Sequence, residues 1–486
     1  MSVIRTIAKN TILLISANFI SLGLGLFINI YMARYLDAGN FGVINAALNL
    51  ATLFTIVTDL GLSKYLTIEV SRKPGEVKPY LNSALLMKLV LVSLAYAGIL
   101  AFAFFSGYTG DRLMVILIIG LYVLTTAVTQ IFQAILQAFQ SMEHIAICQL
   151  INPVILLAGI TFAIGSGLGV IAFAATYLVS GIVILLYTSV VLYTFYLRDI
   201  PKVSLTLWKP LLIGGLPLSM SGLFYFLYYK IDIQLIDIMI GSEAVGYYTA
   251  AYKLIEAIIF IPYMYAMAVF PLISLYFHSN DSKLHLLFRQ SIKYLYLLGL
   301  PIVIGTYILA DQFIFLCYQD KFMGSIEVLR ALSLGLLIIF VNVIPGDMLV
   351  GTNMRNASMV INGVAAAANI SLNIMILPVY GILGSAYVMV ITQGLLFLLN
   401  MYLLKKAGYM LADTVGLSKV TLCGIIMGVF VYLAHGNNLL LIMIISAIIY
   451  FVSIFLTRSL SRDDMSMISQ IFPWLSKIPM LSGIKD

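Results

Sequence analysis

Only 10% of the 486 residues are charged and 62% are hydrophobic, whereas an ordinary soluble protein carries about 25% charged residues. This balance excludes a globule that is stable in water and indicates lipid as the solvent, because a spanning helix needs about 20 apolar residues. The formal net charge of +7 lies mostly between the apolar runs, so a membrane surface explains it better than a nucleic acid does. The composition predicts an all-α polytopic membrane protein.

Fourteen apolar runs along the chain are long enough to cross a bilayer. The first run, Thr11 to Met32, lacks a clear small-residue cleavage site, so we predict a retained helix rather than a signal peptide. In chain order, the predicted transmembrane helices cover residues 10–33, 41–63, 81–105, 113–138, 145–165, 169–195, 211–240, 244–276, 290–310, 326–350, 356–378, 380–404, 418–435 and 438–457.

Polar stretches divide these helices into larger segments. A charged connector follows the sixth helix, and the residues after Arg462 are too polar to span a membrane. We predict an N-terminal six-helix bundle at 1–197, a cytoplasmic connector at 198–209, a C-terminal six-helix bundle at 210–406, an appended helix pair at 407–460 and a cytoplasmic tail at 461–486.

The distribution of lysine and arginine predicts the orientation, because these residues accumulate in cytoplasmic loops. If the N-terminus is inside, 20 of the 27 lysines and arginines fall on the inner side. Only Arg34, Arg112, Lys321 and Arg330 fall on the outer side. The sequence therefore predicts about 14 transmembrane helices with both termini in the cytoplasm.

The two predicted bundles repeat each other in sequence. A shift of 204 residues lays 41–50 on 245–254 and matches one glycine, two alanines and one leucine. A shift of 212 residues lays three further residues on identical ones, namely Met142, Gly169 and Ala174 on Met354, Gly381 and Ala386. An even number of helices gives both bundles the same orientation, and parallel repeats are a known plan of transporters that hold substrate at the repeat interface.

Two stretches carry a family resemblance. They comprise Ala33-Arg34-Tyr35-Leu36, Phe41-Gly42 and Asp59-Leu60-Gly61-Leu62, and then Gly351 to Arg355, Asn362, Asn369, Asn373 and the run from Leu377 to Ala386. Together with the helix number, the repeat and the connector, they make the chain resemble the polysaccharide-transport, or O-antigen flippase, branch of the multidrug/oligosaccharidyl-lipid/polysaccharide (MOP) flippase superfamily. The resemblance extends over nearly the whole chain.

This resemblance implies a flippase that moves a polyprenyl-pyrophosphate-linked oligosaccharide, a cell-surface polysaccharide precursor, from the cytoplasmic to the outer leaflet by alternating access. It implies a multi-pass protein of the bacterial plasma (inner) membrane. Its implied partners are the lipid-linked oligosaccharide, membrane lipids and a polysaccharide polymerase or glycosyltransferases. It does not imply binding to nucleic acid. Two alternatives stay open: an ion-coupled multidrug cation antiporter of the same superfamily, and a membrane-embedded glycosyltransferase or ligase.

Four ionisable residues are predicted at central depth in the membrane, where a charge costs about 2.5–3.5 kcal/mol on insertion scales. They are Lys230 and Asp232 in the seventh helix, and Lys253 and Glu256 in the eighth. Lys253 and Glu256 are three residues apart and can face each other, whereas Lys230 and Asp232 cannot. One interpretation is a hydrated cavity between the halves, where the lysines bind the pyrophosphate of the substrate and the carboxylates tune or gate that binding. The other interpretation is a structural salt-bridge network.

Further residues extend this candidate cavity. Lys88 either continues the basic lining or extends its amine to the cytoplasmic headgroups. Tyr229 and Tyr252, with Tyr225 and Tyr228, lie close to the charged cluster, where a ring can stack on a sugar or simply fill the core.

Asp59 and Asp347, near the inner ends of the second and tenth helices, are candidates to bind a coupling proton or sodium ion, or to make helix-end contacts. Gln130, Gln133 and Gln137 form a polar face that either contacts sugar hydroxyls or bonds neighbouring helices.

We find no catalytic motif in the sequence. Cys148, Cys317 and Cys423 are widely separated, the four histidines show no ligand spacing, and no strand precedes the glycine-rich run at 165–169. We therefore expect no enzyme activity, metal or cofactor, and a driving force that comes from a proton or sodium gradient or from consumption of the flipped product.

Overall fold

The computed structural model describes residues 3–73, 75, 77–195, 207–279, 281–409, 414–457 and 459. Within these residues every regular element is helical, which confirms the all-α prediction. The predicted tail at 461–486 and most of the predicted connector, residues 198–206, lie outside the described residues.

Fifteen α-helices and one 3₁₀ turn make up this part of the chain. They are α1 (Val3–Tyr35), α2 (Ala38–Asp59), α3 (Leu62–Arg72), α4 (Val77–Phe105), α5 (Gly110–Ala138), α6 (Met142–Gly165), α7 (Val170–Phe195), α8 (Trp208–Met239), α9 (Ser242–His278), α10 (Lys283–Ile308), α11 (Ala310–Tyr318), the 3₁₀ turn (Asp320–Phe322), α12 (Ser325–Gly351), α13 (Arg355–Lys406), α14 (Thr414–Leu433) and α15 (Leu439–Leu456).

Twelve helices among the described residues are long and apolar enough to cross a membrane. One of them, α13, has 52 residues and is divided into two arms at Gly381, whose φ of 59° and ψ of −152° are non-helical and suit glycine. Helix α8 is not one of the twelve, although its 32 residues extend about 48 Å at 1.5 Å per residue. Counting both arms and α8 gives the predicted fourteen spans, and that number and the orientation remain predictions.

Large apolar side chains on the outer faces of these helices are exposed. On α15, for example, Leu440, Ile444 and Ile448 are exposed while Ile442 and Tyr450 are buried. A soluble protein rarely leaves such continuous apolar surface in water, so lipid is the solvent of these faces. The chain is a multi-pass membrane protein.

The helix bounds repeat as the sequence does. Helix α1 ends at Tyr35 and α8 at Met239, and α2 begins at Ala38 and α9 at Ser242, so both pairs are related by 204 residues. Later in the chain the shift is larger, since α6 begins at residue 142 and the matching arm of α13 at residue 355. The difference arises where α11 and the 3₁₀ turn are inserted before α12.

The first repeat also contains a break that the sequence did not predict. Helix α2 ends at Asp59, and Leu60 and Gly61 adopt φ values of 42° and 73°. Gly61 is required there because a Cβ atom would overlap the carbonyl oxygen of Gly215. The following residues, expected to be an inner connecting segment, form α3, which buries Leu62, Leu66 and Val70 at helical spacing.

The described residues form two compact units. The first comprises Met1–Ile258, Ile314–Val328 and Met359–Thr392, and the second comprises Ile259–Phe313, Leu329–Ser358 and Gln393–Asp486, less the residues that are not described. In the first unit α5 packs against α4 and α7, α1 against α6, and α2 against α5 and α8. In the second unit the appended pair, α14 and α15, packs against α10. The boundaries of two six-helix bundles remain predictions.

Candidate functional site

The crossing of α2 and α9 brings the two repeats into reciprocal contact. A Cβ atom on Gly42 would overlap the carbonyl oxygen of Ser242, and a Cβ atom on Gly246 would overlap that of Ala38. Gly246 and Ser242 lie 204 residues after Gly42 and Ala38, so each repeat presents the same glycine to the same backbone position of the other. Such mutual contact is what a two-fold relation produces.

The inserted segment covers this crossing. The ring of Phe322 contacts the rings of Phe41 and Tyr247, with centroid distances of 5.6 and 6.2 Å. Lys321 Nζ donates a hydrogen bond to the carbonyl oxygen of Arg34 at 3.1 Å. The end of α1 and the first turns of α2 and α9 therefore form a closed layer, which we call the crossing layer. In the predicted orientation it lies at the outer side of the membrane.

A cavity of about 230 Å³ begins one helical turn further along α2 and α9. All of its lining residues belong to the first compact unit, and they come from α1, α2, α6, α7, α8 and α9. They are Asn29, Asn45, Leu48, Asn49, Thr52, Leu156, Tyr177, Lys230, Ile233, Thr249, Tyr252 and Lys253. Three of the residues predicted from sequence, Lys230, Lys253 and Tyr252, are among them.

Two lysines of the cavity share one carboxylate. Lys230 Nζ lies 2.8 Å from Glu256 Oε1, and Lys253 Nζ lies 2.9 Å from Glu256 Oε2. The ring of Tyr252 is 5.5 Å from Lys230 Nζ, and its hydroxyl donates a hydrogen bond to the Tyr229 carbonyl oxygen. Because two ammonium groups face one carboxylate, this Lys–Glu–Lys cluster has a formal net charge of +1. It joins α8 to α9, and its two lysines line the cavity.

Two residues predicted at the cavity lie elsewhere. Asp232 is buried on another face of α8, where its carboxylate accepts a hydrogen bond from the hydroxyl of Tyr248. Tyr229 is also buried and packs against the rings of Tyr225 and Tyr228, with centroid distances of 5.1 and 5.0 Å. The placement of Asp232 and Tyr229 in the cavity lining was therefore wrong. The reason is helical geometry, since neighbouring positions on a helix point in different directions.

Lys88 and Asp59, expected in separate roles, form one buried cluster. Lys88 Nζ lies 2.9 Å from Asp59 Oδ1 and donates a second hydrogen bond to Gln130 Oε1 at 3.2 Å. Ser63 Oγ donates to the same carboxylate. The Lys88 side chain is 0% exposed, so its amine neither extends to the headgroups nor lines the cavity. Both expectations for Lys88 are thus corrected, because a carboxylate within reach compensates the buried charge better.

The remaining predicted ion-coupling residue, Asp347, belongs to the second compact unit. It lies on α12 four residues before that helix ends at Gly351 and is partly buried.

A further charged cluster was not predicted from the sequence. Arg112 Nη2 lies 2.6 Å from Asp237 Oδ1, and Tyr108 donates a hydrogen bond to Asp237 Oδ2 at 2.8 Å. The guanidinium also lies 3.7 Å from the centre of the Tyr108 ring. Burial, followed by the Asp237 charge and hydrogen bond, raises the pKa of Tyr108 to about 12. This cluster ties the start of α5 to the end of α8.

The uncharged polar lining of the cavity was also missed. It consists of Asn29, Asn45, Asn49, Thr52, Tyr177 and Thr249. A signal was present, because the shift of 204 residues that relates the repeats lays Asn49 on Lys253. Applying the shift to Lys253 and Glu256 would have identified Asn49 and Thr52 of α2 as part of the opposite wall.

Known proteins resemble this chain in sequence. The family model "Polysaccharide biosynthesis protein" matches residues 7–277, more than half of the chain, and the model MatE matches residues 217–375. The "Probable low-salt glycan biosynthesis flippase Agl15" of Haloferax volcanii is 25% identical over 394 residues, which cover 78% of this chain and 79% of that protein.

Solved structures resemble its fold. The "Lipid II flippase MurJ, inward closed conformation" matches with a TM-score of 0.76 at 18% identity, over 91% of this chain and 98% of that one. An inward-facing multidrug resistance MATE family transporter matches with a TM-score of 0.68 at 16% identity, over 82% and 97%. The fold is therefore that of the MOP superfamily of membrane transporters. Within it, the chain belongs to the polysaccharide biosynthesis protein family, which confirms the resemblance drawn from its motifs.

Proposed function

We propose that this protein is a flippase that carries a polyprenyl-pyrophosphate-linked oligosaccharide from the cytoplasmic to the outer leaflet of the plasma membrane. The observation that carries the proposal is the Lys–Glu–Lys cluster at the cavity wall. The substrate class is supported by two similar proteins, one named as a glycan biosynthesis flippase and the other as a lipid II flippase.

The cluster suits an anionic headgroup for an electrostatic reason. Lys230 and Lys253 present two ammonium groups inside the membrane, and Glu256 compensates only one of them. A phosphate group that enters the cavity supplies the missing negative charge and forms charge-assisted hydrogen bonds with both lysines. An uncharged lipid lacks that gain, so the cluster selects phosphate-bearing lipids.

The crossing layer supplies the barrier of an alternating-access cycle. It closes the predicted outer side, while the cavity lies on the inner side of the glycine contact. In this conformation we propose that substrate enters from the cytoplasmic leaflet, where glycosyltransferases complete it. Transport then requires that α2 and α9 separate at Gly42 and Gly246.

The cation antiporter remains the second candidate because the MatE model matches residues 217–375. The charge of the cavity opposes it. A cationic drug would meet two ammonium groups and only one carboxylate, and that carboxylate already pairs with both lysines. We therefore favour an anionic substrate.

A proton or sodium gradient is our proposal for the driving force. Of the two predicted coupling residues, Asp59 already pairs with Lys88, whereas Asp347 lies partly buried on α12. Asp347 is accordingly the stronger candidate.

The test is translocation of a fluorescent polyprenyl-pyrophosphate oligosaccharide in proteoliposomes. Hydrogen bonds to charged groups contribute about 1.5–3 kcal/mol, so Lys230→Ala and Lys253→Ala should each lower the rate about tenfold or more. Lys64→Ala, which removes an exposed lysine of α3 outside the cavity, is the matched control and should transport normally. Unchanged transport in both cavity variants would contradict the proposed role of the cluster, and no transport by the parent would contradict the flippase.

A further inference from the structure

Two further contacts join the repeats at the predicted outer side. The first connects the end of α8, in the second repeat, with the start of α5, in the first. Arg112 Nη2 lies 2.6 Å from Asp237 Oδ1, and the Tyr108 hydroxyl donates to Asp237 Oδ2 at 2.8 Å. These bonds run between polar side chains. We call Tyr108, Arg112 and Asp237 the charge clasp.

The second contact connects the end of α1 with the segment inserted before α12. The Arg34 guanidinium donates to the carbonyl oxygens of Leu316 and Cys317 near the end of α11, where carbonyl groups lack partners within the helix. Lys321 Nζ donates in return to the Arg34 carbonyl oxygen at 3.1 Å. We call these four residues the main-chain clasp, since its bonds end on carbonyl oxygens.

The two clasps occupy equivalent places in the two repeats. Helices α1 and α8 end 204 residues apart, and α5 and α12 directly precede α6 and the matching arm of α13. The same shift lays Ala33 on Asp237, so the first repeat lacks the carboxylate and bonds through the neighbouring Arg34 instead. All residues of both clasps belong to the first compact unit. Equivalent contacts therefore differ in chemistry.

The clasps also differ in what their separation would expose to water. Opening the charge clasp exposes a carboxylate, a guanidinium and a hydroxyl, which water solvates well, and the Arg112 side chain is already 25% exposed. The main-chain clasp adjoins the ring contact between Phe41 and Phe322, and both rings belong to residues that are 0% exposed. Opening there would expose apolar surface. The charge clasp is therefore the easier one to release.

We propose that the charge clasp is the lock of the outer side, and that the main-chain clasp is the pivot about which the repeats turn when the lock opens. This proposal rests on the alternating-access cycle of the proposed function, in which α2 and α9 separate at the outer side. Release of Asp237 from Arg112 frees the end of α8 to leave α5, while the inserted segment stays bound to the end of α1. The outer opening therefore forms between α5 and α8.

Double electron–electron resonance on the full-length protein in lipid nanodiscs, without substrate and without the native cysteines, tests this lock. Nitroxide labels on Asp111→Cys and Ile240→Cys, at exposed positions, report the distance between α5 and α8. Labels on Tyr35→Cys and Met323→Cys, also exposed, report the distance across the pivot. Asp237→Asn removes the counter-charge of the lock, so the population with the longer α5–α8 distance should rise about tenfold. The distance across the pivot should not change.

Two further variants make the test specific. Tyr108→Phe keeps the ion pair and removes one hydrogen bond to Asp237, so its increase should be smaller, about threefold. Asp311→Asn is the matched control, because it removes a carboxylate that pairs with His435 outside both clasps, and it should change neither distance. An unchanged α5–α8 distance in a folded Asp237→Asn protein would overturn the lock. Equal lengthening at both label pairs would overturn the pivot.

Transport of the lipid-linked oligosaccharide, measured on the same proteins, separates this proposal from the proposed function. If the parent transports the lipid and Asp237→Asn leaves both distances unchanged, the lock is refuted and the flippase is supported. If the parent transports no such lipid and Asp237→Asn still lengthens the α5–α8 distance alone, the flippase is refuted and the lock is supported.

Discussion

The buried charge of Lys88 is compensated by a partner of opposite charge within hydrogen-bond distance. Lys88 has no exposed side-chain surface, yet Asp59 lies 2.9 Å away and Gln130 supplies a second acceptor. Losing one partner of a buried pair leaves an uncompensated charge, which costs about 3–5 kcal/mol, whereas replacing both with uncharged groups is often neutral.

We therefore expect Lys88→Met to lower the thermal stability of the detergent-solubilised protein strongly. Asp59→Asn alone should do the same, because the ammonium group then loses its counter-charge, although the amide still accepts from Ser63. The double variant Lys88→Met/Asp59→Asn should recover most of the loss. A double variant that is as unstable as the sum of the single variants would show that the pair contributes something other than charge compensation.

Sequence alone located the lysines but not the partners of every charge. Lys253 and Glu256 could be paired because a spacing of three residues on a helix brings side chains together. The partner of Lys230 lies on another helix, and that of Asp232 is the hydroxyl of Tyr248, so neither follows from spacing. Spacing predicts which side chains of one helix can pair, but it does not predict which side chain of another helix each one meets.

Among the helices, the crossing of α2 and α9 depends on glycine at two equivalent positions. No side chain fits at Gly42 or Gly246, because the first Cβ atom already overlaps the backbone of the opposite helix. A larger residue forces the two helices apart where they close the predicted outer side.

Gly42→Val should therefore open the crossing layer. The measurement is labelling of Asn45→Cys by a membrane-impermeant thiol reagent added outside, in a background without the native cysteines. We expect little labelling in the otherwise unchanged protein and strong labelling when Gly42→Val is added. Gly23→Ala, at a glycine with open space around it, serves as the control. Equal labelling of all three proteins would rule out this crossing as the outer barrier.

Helix positions were largely predictable because each long apolar run needs a membrane to bury it. The exceptions have local causes. The break at Leu60 and Gly61 depends on a close approach to Gly215 far along the chain, and α3 is too polar for a span. The insertion of α11 and the 3₁₀ turn was visible in sequence only as a change of shift between the repeats.

At the scale of the whole molecule, the site results from the duplication of one repeat and from later divergence between the two copies. The repeat supplies two similar walls around one cavity, and charge has accumulated on the second wall alone. In the flippase that we propose, this arrangement places the phosphate of the substrate toward α8 and α9. The sequence predicted the duplication, whereas the uncharged polar residues that α2 contributes to the cavity were identified only from the structure.

Affinity of the Glu256→Gln variant for a polyprenyl pyrophosphate tests the central claim most directly. If Glu256 occupies the lysines until the phosphate arrives, removing its charge eliminates a competitor, and the variant should bind the lipid about tenfold more tightly than the parent. If the Lys–Glu–Lys cluster only holds α8 and α9 together, the variant should lose stability without any gain in affinity. Unchanged or weaker binding by a folded Glu256→Gln protein would contradict the account.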